Sequence, residues 1–415
     1  MEKGLYDRRL RVEVMDYLDG KEALMILGAR QVGKTSLLKL IMERLKGEVL
    51  YFDLERERDL SIVEEGAEYF LSYLKASGKE KKAIVFIDEV QYMKDPAKFI
   101  KIMVDYHSQE VKLILTGSST LGIRQKFKDS LAGRKLLFIL YPLDFREFLY
   151  FKGEDRLAQI LPEDPFTFNG EDKTRFFTEK YSAYLDEYLI FGGYPRVALE
   201  IEAEKRIRYI EEIVNAYIYK DVRNLFKIED ITKYNKLVKL LGVQIGNLLN
   251  IFNVAQDIGI SRITVAKYLK MLEDTFILYL LPPFYTNPKK EIVKNPKVYL
   301  LDNGLRNYLV GDFKPLRDRV DKGRLFENAV LGGLLKKRGR MENLYFWRTQ
   351  TKAEVDFIIE REDKLIPLEA NLDGRPTKSL YSFMKRYRVE EGYVVYPGEY
   401  RKEKSINFIP GWWVV

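Results

Sequence analysis

A loop bounded by two glycines offers the clearest chemistry in this sequence. It lies between an apolar run and an amphipathic segment and reads Gly28-Ala29-Arg30-Gln31-Val32-Gly33-Lys34-Thr35-Ser36. The two glycines let successive backbone N–H groups point at one anion, and a helix beginning near Lys34 adds the positive end of its dipole. Lys34 would reach the β- and γ-phosphates of a nucleotide, and the Thr35 hydroxyl would be a ligand of Mg²⁺. The spacing fits the P-loop pattern and predicts binding of ATP with Mg²⁺.

A pair of acids follows a second apolar run. Residues 83–87 lead directly into Asp88 and Glu89, and a short, fully apolar strand is typical of a parallel sheet covered on both faces. Asp88 can hold the Mg²⁺ shell, and Glu89 can orient or deprotonate the attacking water. A third apolar run ends near Thr116 and Ser118, where a hydroxyl could sense the γ-phosphate. Together these groups predict a site that hydrolyses a nucleotide.

Such groups need a sheet that brings the ends of several strands together. The run before the glycine loop, the two runs just described, and residues 48–55 and 135–140 give five strands separated by helical stretches. This alternation predicts an open α/β sheet whose ligand lies at the carboxyl ends of the strands.

The composition excludes several kinds of site. The 415 residues contain no cysteine and one histidine, His107, so disulfides, thiolate-bound metals and histidine clusters are ruled out. The net charge of +8 favours an acidic partner such as nucleic acid, although 62 acids are mixed among 70 bases. Because the sequence shows neither a signal-peptide pattern nor an apolar run of membrane-spanning length, we expect a cytoplasmic protein with no membrane partner.

Several of these motifs together resemble one large prokaryotic group of AAA-type ATPases. The resemblance rests on the glycine loop and on "FIDEVQ", "LTGSS", "LAGRKLLFILYPLDFREFL", "FGGYPRVALE" and "YIYKDVRN", so it covers nearly the whole chain. It implies an additional-strand, catalytic-glutamate ATPase core that forms an oligomer, followed by a C-terminal domain similar to restriction-endonuclease folds. It also implies that Arg134, just before the fifth strand, completes a neighbouring subunit's site as an arginine finger. A surface salt bridge is the alternative for Arg134.

The same resemblance places a helical lid after the core. Arg196 in "GGYPR" falls where such families carry a sensor on the lid, and Gly193 and Pro195 would pack near adenine. A tight turn between two lid helices is the alternative for this stretch. Residues 175–226 show apolar and aromatic side chains at three- and four-residue spacing, which independently predicts helices.

A helix–turn–helix pattern follows the lid. Gly259 lies between two amphipathic runs, and Ser261 can cap a helix that begins at Arg262. The next apolar run, "FILYLLPPF", would supply a wing. Arg262, Lys267 and Lys270 occupy polar positions of the second helix and could contact phosphates or guanine edges. The alternative is a small helical module used for packing or subunit contact.

The stretch "AEVDFIIEREDKLIPLEANL" reads as two strands that deliver one carboxylate each, Asp356 and Glu369. Acids so placed could hold a divalent metal and cut a phosphodiester. In the restriction-endonuclease-like fold that the resemblance implies, an early helix adds a third acid, here Glu327. The lysine of the Glu-x-Lys pattern is replaced by Asn371, which carries no charge. The sequence therefore favours a domain that keeps the fold and has weakened or lost cleavage, unless Lys378 reaches the site.

The sequence thus predicts an α/β protein of four segments. We expect a P-loop AAA-type core at 1–152, a hinge and helical lid at 153–235, a winged helix–turn–helix at 236–288 and a restriction-endonuclease-like domain at 289–415. The predicted function is Mg²⁺-dependent ATP hydrolysis, coupled by a homo-oligomer to the binding or remodelling of double-stranded or branched DNA. Two alternatives stay open, namely a nucleotide switch or scaffold for a protein partner and an ATP-dependent nuclease.

Overall fold

The computed structural model describes residues 6–45, 49–76, 82–118, 131–168, 170–221, 228, 230–285, 294–339 and 341–415. The end of the family-like stretch "YIYKDVRN", residues 222–224, lies outside the described residues. The chain folds into two compact units. The first is Met1–Tyr141 with Asp274–Phe276, and the second is Pro142–Glu273 with Ile277–Val415.

A five-stranded sheet forms the centre of the first unit. Its strands are β1 (Ala23–Gly28), β2 (Val49–Asp53), β3 (Ala83–Asp88), β4 (Val111–Ser118) and β5 (Lys135–Ile139). They run parallel in the order β2-β3-β4-β1-β5. Every residue of β1 and β4 is buried, as expected for parallel strands covered on both faces. The predicted open α/β sheet is confirmed, and β4 lies between β1 and β3.

The helices of the first unit connect these strands. They are α1 (Arg9–Met15), α2 (Lys34–Arg44), α3 (Glu57–Glu64), α4 (Ala67–Ala76) and α5 (Pro96–His107). The start of α5 follows from its sequence, because Pro96 occupies the first turn and the Asp95 side chain accepts a hydrogen bond from the Lys98 N–H. The start of α2 has no side-chain cap, which leaves its first N–H groups available to a ligand.

The second unit opens with helices, as the periodicity of residues 175–226 predicts. They are α6 (Phe145–Phe151), α7 (Asp155–Gln159), α8 (Thr178–Phe191), α9 (Pro195–Leu199) and α10 (Ala203–Ile213), followed by a π-helical stretch, Val214–Asp221. Next come α11 (Ile231–Val243), α12 (Ile251–Ile258) and α13 (Arg262–Asp274). Gly259 ends α12 with a φ of 73°, and the Ser261 hydroxyl accepts a hydrogen bond from the Thr264 N–H at 3.0 Å. The predicted helix–turn–helix connection is therefore present.

A two-stranded antiparallel hairpin follows α13. Strand β6 (Leu278–Leu281) pairs with β7 (Lys297–Leu300), and Leu281 lies opposite Lys297. Sequence analysis assigned residues 297–300 to the last domain. In the structure these residues form β7, which pairs with β6 in the run "FILYLLPPF" that was predicted to form a wing. Strand β7 therefore belongs to two regions. It continues along the chain into the last domain, and it is hydrogen-bonded to β6 of the predicted wing.

The remaining elements form a mixed α/β region. They are α14 (Asn303–Val310), α15 (Lys322–Lys337), β8 (Glu342–Arg348), β9 (Glu354–Arg361), β10 (Lys364–Ala370), α16 (Lys378–Tyr387), β11 (Gly392–Tyr396), β12 (Arg401–Glu403), β13 (Ile406–Pro410) and α17 (Gly411–Val414). The sheet order is β12-β13-β11-β10-β9-β8. Strands β8, β9 and β10 are antiparallel neighbours, and β11 is parallel to β10. The predicted pair of strands in "AEVDFIIEREDKLIPLEANL" is confirmed as β9 and β10.

Two acids, one buried and one partly exposed, connect separate segments of the second unit. Asp302, 5% exposed, accepts hydrogen bonds from the N–H groups of Leu305 and Gly193 at 3.0 and 2.8 Å, and burial raises its pKa. Asp321 accepts hydrogen bonds from Arg319 and Arg306. Burial alone would raise the pKa of Asp321, but these two guanidinium groups lower it to about 2.

Candidate nucleotide site and acidic cluster

The glycine loop has the backbone that an anion cradle requires. Gly33 has a φ of 98° and Gln31 a φ of 61°, so two residues of the loop adopt the left-handed conformation from which nests of N–H groups are built. A Cβ atom at Gly28 would lie 2.3 Å from the carbonyl oxygen of Leu140. Glycine is needed at position 28 because the chain after β5 passes directly against it.

Lys34 is buried at the start of α2, with 5% of its surface exposed. Its ammonium donates to the carbonyl oxygens of Gly28 and Ala29, both at 3.3 Å, and lies 3.6 Å from Glu89 Oε1. Burial lowers the pKa of Lys34, and the nearby carboxylates of Glu89 and Asp88 oppose that shift. A buried cation with long contacts of this kind is stabilised by any anion that enters the cradle.

Three hydroxyl groups hold the Asp88 carboxylate. Thr35 Oγ1 donates to Asp88 Oδ2 at 2.6 Å, Tyr51 Oη donates to the same oxygen at 2.9 Å, and Thr116 Oγ1 donates to Oδ1. Thr35 and Asp88, both predicted Mg²⁺ ligands, therefore meet, although they come from α2 and β3. Sequence reasoning missed Tyr51. Its signal was a polar side chain near the end of β2, which is the strand beside β3.

Glu89 follows β3 in the left-handed region, with a φ of 60°. Its Oε2 accepts hydrogen bonds from Gln91 Nε2 and, at 3.2 Å, from the Ser118 N–H. Gln91 Nε2 also donates to Ser118 Oγ at 2.9 Å. Burial would raise the pKa of Glu89, but Lys34, Gln91 and the Ser118 N–H lower it, so the carboxylate is charged near neutral pH. Gln91 is a second residue that sequence reasoning missed.

The two candidate sensor hydroxyls thus have different neighbours. Thr116 bonds to Asp88 and accepts a hydrogen bond from the Glu89 N–H at 3.0 Å. Gln91 connects Ser118 with Glu89, because its Nε2 donates hydrogen bonds to both side chains. Sensing of the γ-phosphate by Ser118 stays a prediction, and Thr116 is occupied with placing the acid pair.

These residues fit ATP and Mg²⁺. A P-loop cation takes one or two protein ligands and completes its shell with phosphates and water, and Thr35 with Asp88 supplies that pair. Accordingly, the described residues contain no group of three or more acids or histidines that could hold a metal by themselves.

A second polar cluster lies in the other unit, around the predicted nuclease-like acids. Lys297 Nζ lies 2.7 Å from Glu354, 3.2 Å from Glu327 and 3.6 Å from Asp356. Tyr299 Oη donates to Glu327 at 2.5 Å. Burial lowers the pKa of Lys297, but the three carboxylates more than offset it and the net shift is upward. The structure therefore joins Glu327 and Asp356, as predicted, and adds a lysine that the sequence did not suggest.

The other predicted members of this site are differently engaged. Glu369 accepts hydrogen bonds from the hydroxyl and the N–H of Thr377, which caps α16. Asn371 forms two hydrogen bonds with the backbone of Arg375, and Lys378 is exposed at the first residue of α16. Sequence analysis left open that Lys378 reaches the site, and the lysine that the structure places against the acids is Lys297.

Burial, and next the charge of Glu327, raises the pKa of Asp356 to about 7, although Lys297 opposes the shift. Asp356 also accepts a hydrogen bond from the Ala370 N–H at 3.0 Å. The cluster contains three acids and two cations, Lys297 and the Arg348 guanidinium that pairs with Glu354 at 2.6 Å, so a proton on Asp356 removes its excess negative charge.

Comparison with known proteins places this geometry in a family. A family model described as an AAA domain matches residues 20–149, and two domains of unknown function, DUF8612 and DUF4143, match residues 182–316 and 322–413. An uncharacterized protein of Methanocaldococcus jannaschii is 30% identical over 354 residues, which are 82% of this chain and 72% of that protein. The chain belongs to this family. It is an AAA-type P-loop ATPase with a DUF4143 domain.

Further relatives extend the similarity of this ATPase. A second uncharacterized protein of M. jannaschii is 28% identical over 99% of this chain and 88% of its own length. A Walker-type ATPase of Pyrococcus abyssi aligns with 74% of this chain and 97% of its own, with 13% identity and a TM-score of 0.46.

The matched domains divide the two clusters of this ATPase. The glycine loop, Asp88 and Glu89 fall in the AAA domain, while Glu327, Asp356 and Glu369 fall in the DUF4143 range. Lys297 falls in the DUF8612 range instead. The acidic cluster is therefore built by two matched domains together. Within the described residues, none of the helices is both long and apolar enough to cross a membrane.

Two arginines that the family resemblance singled out have local partners. Arg134, with 32% of its side chain exposed, pairs with Asp105 at 2.6 Å. Arg196 belongs to the second unit, where it is exposed, lies over the Tyr209 ring at 3.8 Å and pairs with Glu212 at 3.2 Å. Their roles at the nucleotide stay predictions, as does the role of Pro195, which begins α9.

The basic residues of α13 share one side of the helix. Arg262, Ala266, Lys267 and Lys270 are exposed at spacings that place them within about 140° of one another. Ile263 lies on the same side and is 83% exposed. This face combines positive charge with an exposed aliphatic side chain.

Proposed function

We propose that this AAA-type ATPase binds ATP with Mg²⁺ and hydrolyses it in the first unit. The observation that carries the proposal is the convergence of Lys34 and Thr35, at the start of α2, with Asp88 and Glu89, at the end of β3. Thr35 donates a hydrogen bond to Asp88, and Lys34 lies beside Glu89. These residues are far apart in the sequence, so the fold is what brings them together. Thr35 and Asp88 would hold Mg²⁺, which would supply positive charge to neutralise the phosphates.

The residues of the chain divide the remaining work. The N–H groups of the glycine loop and the Lys34 ammonium bind phosphate oxygens and stabilise the charge that develops on them. Glu89 holds the attacking water in line and accepts its proton as the bond from the water oxygen to the γ-phosphorus forms and the bond from that phosphorus to the oxygen of the leaving ADP breaks. Gln91 and the Ser118 N–H fix the orientation of the Glu89 carboxylate.

Two variants test the assignment. Lys34→Ala should lose ATP binding and hydrolysis, whereas Glu89→Gln should keep ATP binding and retain only a small, measurable residual turnover. Nucleotide binding is measured with a fluorescent ATP analogue and turnover by phosphate release. Hydrolysis that survives in Lys34→Ala rules out this site.

We also propose that the enzyme is a homo-oligomer in which Arg134 acts on a neighbouring subunit. The support is its exposed position on the unit that holds the glycine loop. Subunits with Lys34→Ala and subunits with Arg134→Ala should each be inactive alone. Mixing them should restore activity, because the first kind lends its Arg134 to the intact glycine loop of the second. Absence of restored activity in assemblies shown to be mixed contradicts action in trans.

The helix–turn–helix supports DNA as the partner that ATP turnover serves. The exposed face of α13 can enter a major groove with basic residues toward phosphates or guanine and Ile263 toward a thymine methyl group. Changing Arg262, Lys267 and Lys270 together to Gln should lower the slope of log affinity against log salt by about 3. A matched control changes three exposed basic residues on other elements, Arg317, Lys385 and Arg386. Equal loss in both triple variants indicates a general charge effect instead.

A nucleotide switch for a protein partner is the second candidate. Its support is the engaged state of Glu89, whose carboxylate is held by Gln91 and the Ser118 N–H and which suits slow basal turnover. DNA-stimulated ATP hydrolysis that is lost in the α13 triple variant favours DNA. An unchanged rate across double-stranded and branched DNA favours the switch.

The order α15-β8-β9-β10-α16-β11 supports the proposal that the last region has a restriction-endonuclease-like core, with the acids on a helix and two strands. The hairpin β6-β7 likewise supports a wing beside α13. The lysine in the acidic cluster of this region changes what that cluster can do.

A further inference from the structure

The acidic cluster of the second unit already contains a cation. The Lys297 ammonium lies within 3.6 Å of Glu327, Glu354 and Asp356 and only 2% of its side chain is exposed. A buried carboxylate needs a counter-charge, and here the Lys297 ammonium contacts three carboxylates, one of which, Glu354, also pairs with Arg348 at 2.6 Å. The Tyr299 hydroxyl and the Ala370 N–H provide further hydrogen bonds to the same acids.

A divalent metal does not fit this set of donors. Mg²⁺ requires oxygen ligands at about 2.0–2.1 Å in near-octahedral order, whereas these oxygens are arranged at hydrogen-bond distances around a nitrogen. A metal at the centre of the acids would share their space with a positive ammonium. Glu369, the third acid of a nuclease-like site, has both oxygens engaged by Thr377.

We propose that Lys297 is a built-in replacement for the metal of this nuclease-like site, so that the domain binds its partner without cutting nucleic acid. The lysine comes from β7, which pairs with β6 of the hairpin and has a further bridge to Leu248. The ion cluster therefore holds this hairpin against helix α15 and strand β9. The cluster thereby joins the helix–turn–helix region to the last sheet.

The proposal predicts that removal of the lysine creates a metal site. Lys297→Met keeps most of the aliphatic volume and removes the cation that Glu327 and Asp356 share, while Glu354 keeps its pair with Arg348. This variant should unfold at a lower temperature than the wild type. Mn²⁺ should then raise its midpoint by about 5 °C at a hundredfold excess over the dissociation constant, while the wild type should not respond. Nucleotide is left out so that the Thr35 and Asp88 site does not contribute.

Two controls separate this effect from simple loss of a buried lysine. Lys112 is also 2% exposed, and its ammonium donates to the carbonyl oxygens of Tyr17, Gly20 and Glu22. Lys112→Met should destabilise the protein without rescue by Mn²⁺. Adding Asp356→Asn to Lys297→Met should weaken Mn²⁺ binding at least tenfold, counted by electron paramagnetic resonance of free Mn²⁺.

A second set of measurements compares the wild type with Asp356→Asn and does not depend on the folding of a lysine variant. Wild type and Asp356→Asn should bind the same number of Mn²⁺ ions and should show equal residual cleavage of branched and double-stranded DNA. The proposal is overturned if the wild type binds one more ion than Asp356→Asn or cuts DNA in a way that Asp356→Asn does not. It is also overturned if a folded Lys297→Met gains no Mn²⁺ site. Loss of ATP hydrolysis in Lys34→Ala does not bear on these outcomes, which distinguishes this proposal from the proposed ATPase function.

Discussion

Gln91 offers a sharp test of how the nucleotide site of this ATPase works. Its amide nitrogen donates to the Glu89 carboxylate and to Ser118 Oγ, the latter at 2.9 Å. Gln91→Leu removes both hydrogen bonds at nearly constant size. We expect the turnover number to fall and the KM for ATP to stay within about twofold, because Gln91 contacts the residue that orients water and not the glycine loop.

The size of the loss follows from the bond that is removed. A hydrogen bond to a charged acceptor contributes about 1.5–3 kcal/mol. If that contribution persists in the transition state, the turnover number falls by a factor of roughly 10 to 100. The weaker bond to Ser118 affects the strand end, so a small loss of stability is also expected, on the order of 1 kcal/mol.

The assay is a double-mutant cycle of steady-state ATP hydrolysis. Gln91→Leu is measured in the wild type and in a Glu89→Gln background, where the carboxylate it positions is already absent. The second measurement should show less than a twofold further loss. Two results refute the reasoning: an equal loss in both backgrounds means that Gln91 does not act through Glu89, and a faster rate in Gln91→Leu means that it restrains Glu89.

Three further substitutions test the scaffold around the two sites. Gly28→Ala should cost about 1–3 kcal/mol in urea unfolding, because its Cβ would meet the Leu140 carbonyl oxygen at 2.3 Å. Asp302→Ala should cost about 2–4 kcal/mol, because it leaves buried N–H groups, including that of Gly193, without acceptors; a loss under about 1 kcal/mol would contradict this. The pKa of Asp321 is lowered from 3.8 to about 2, so its contribution is complete above about pH 4 and lost as the pH falls toward 2. The free energy of unfolding of the wild type should therefore fall between pH 6 and pH 2. In Asp321→Asn this fall should be smaller by about 1–2 kcal/mol, a figure that allows for solvent screening.

The nucleotide site was predictable from sequence because its parts are local. The glycine loop, Lys34 and Thr35 are contiguous, and Asp88 with Glu89 marks the end of an apolar strand. The parallel sheet then brings these two segments together without further information. Tyr51 was not predictable in the same way, because its importance depends on β2 lying beside β3, and strand order is a property of the fold.

The acidic cluster shows where pattern reading fails. Glu354 and Asp356 are two residues apart on β9 and therefore point to the same face of the sheet. That spacing was visible in "AEVDF", but a search for Glu-x-Lys directs attention to Glu369 instead. The lysine itself comes from β7, a strand that the chain places far upstream. Only the pairing of the hairpin brings Lys297 to the acids.

Asn371 consequently has a different meaning from the one that the sequence suggested. From the sequence alone, Asn371 stands at the position where a nuclease of this type has its lysine. A lysine at position 371 would then be expected to restore cleavage. In the structure, Asn371 shapes the turn before α16 through Arg375, and Lys297 contacts Glu327, Glu354 and Asp356 from another direction. A lysine that activates water must face a metal-bound water, whereas Lys297 contacts the acids themselves. If Lys297 replaces a metal as proposed, cleavage should require the removal of Lys297 as well as a lysine at position 371, because the first change makes room for the metal that the second depends on.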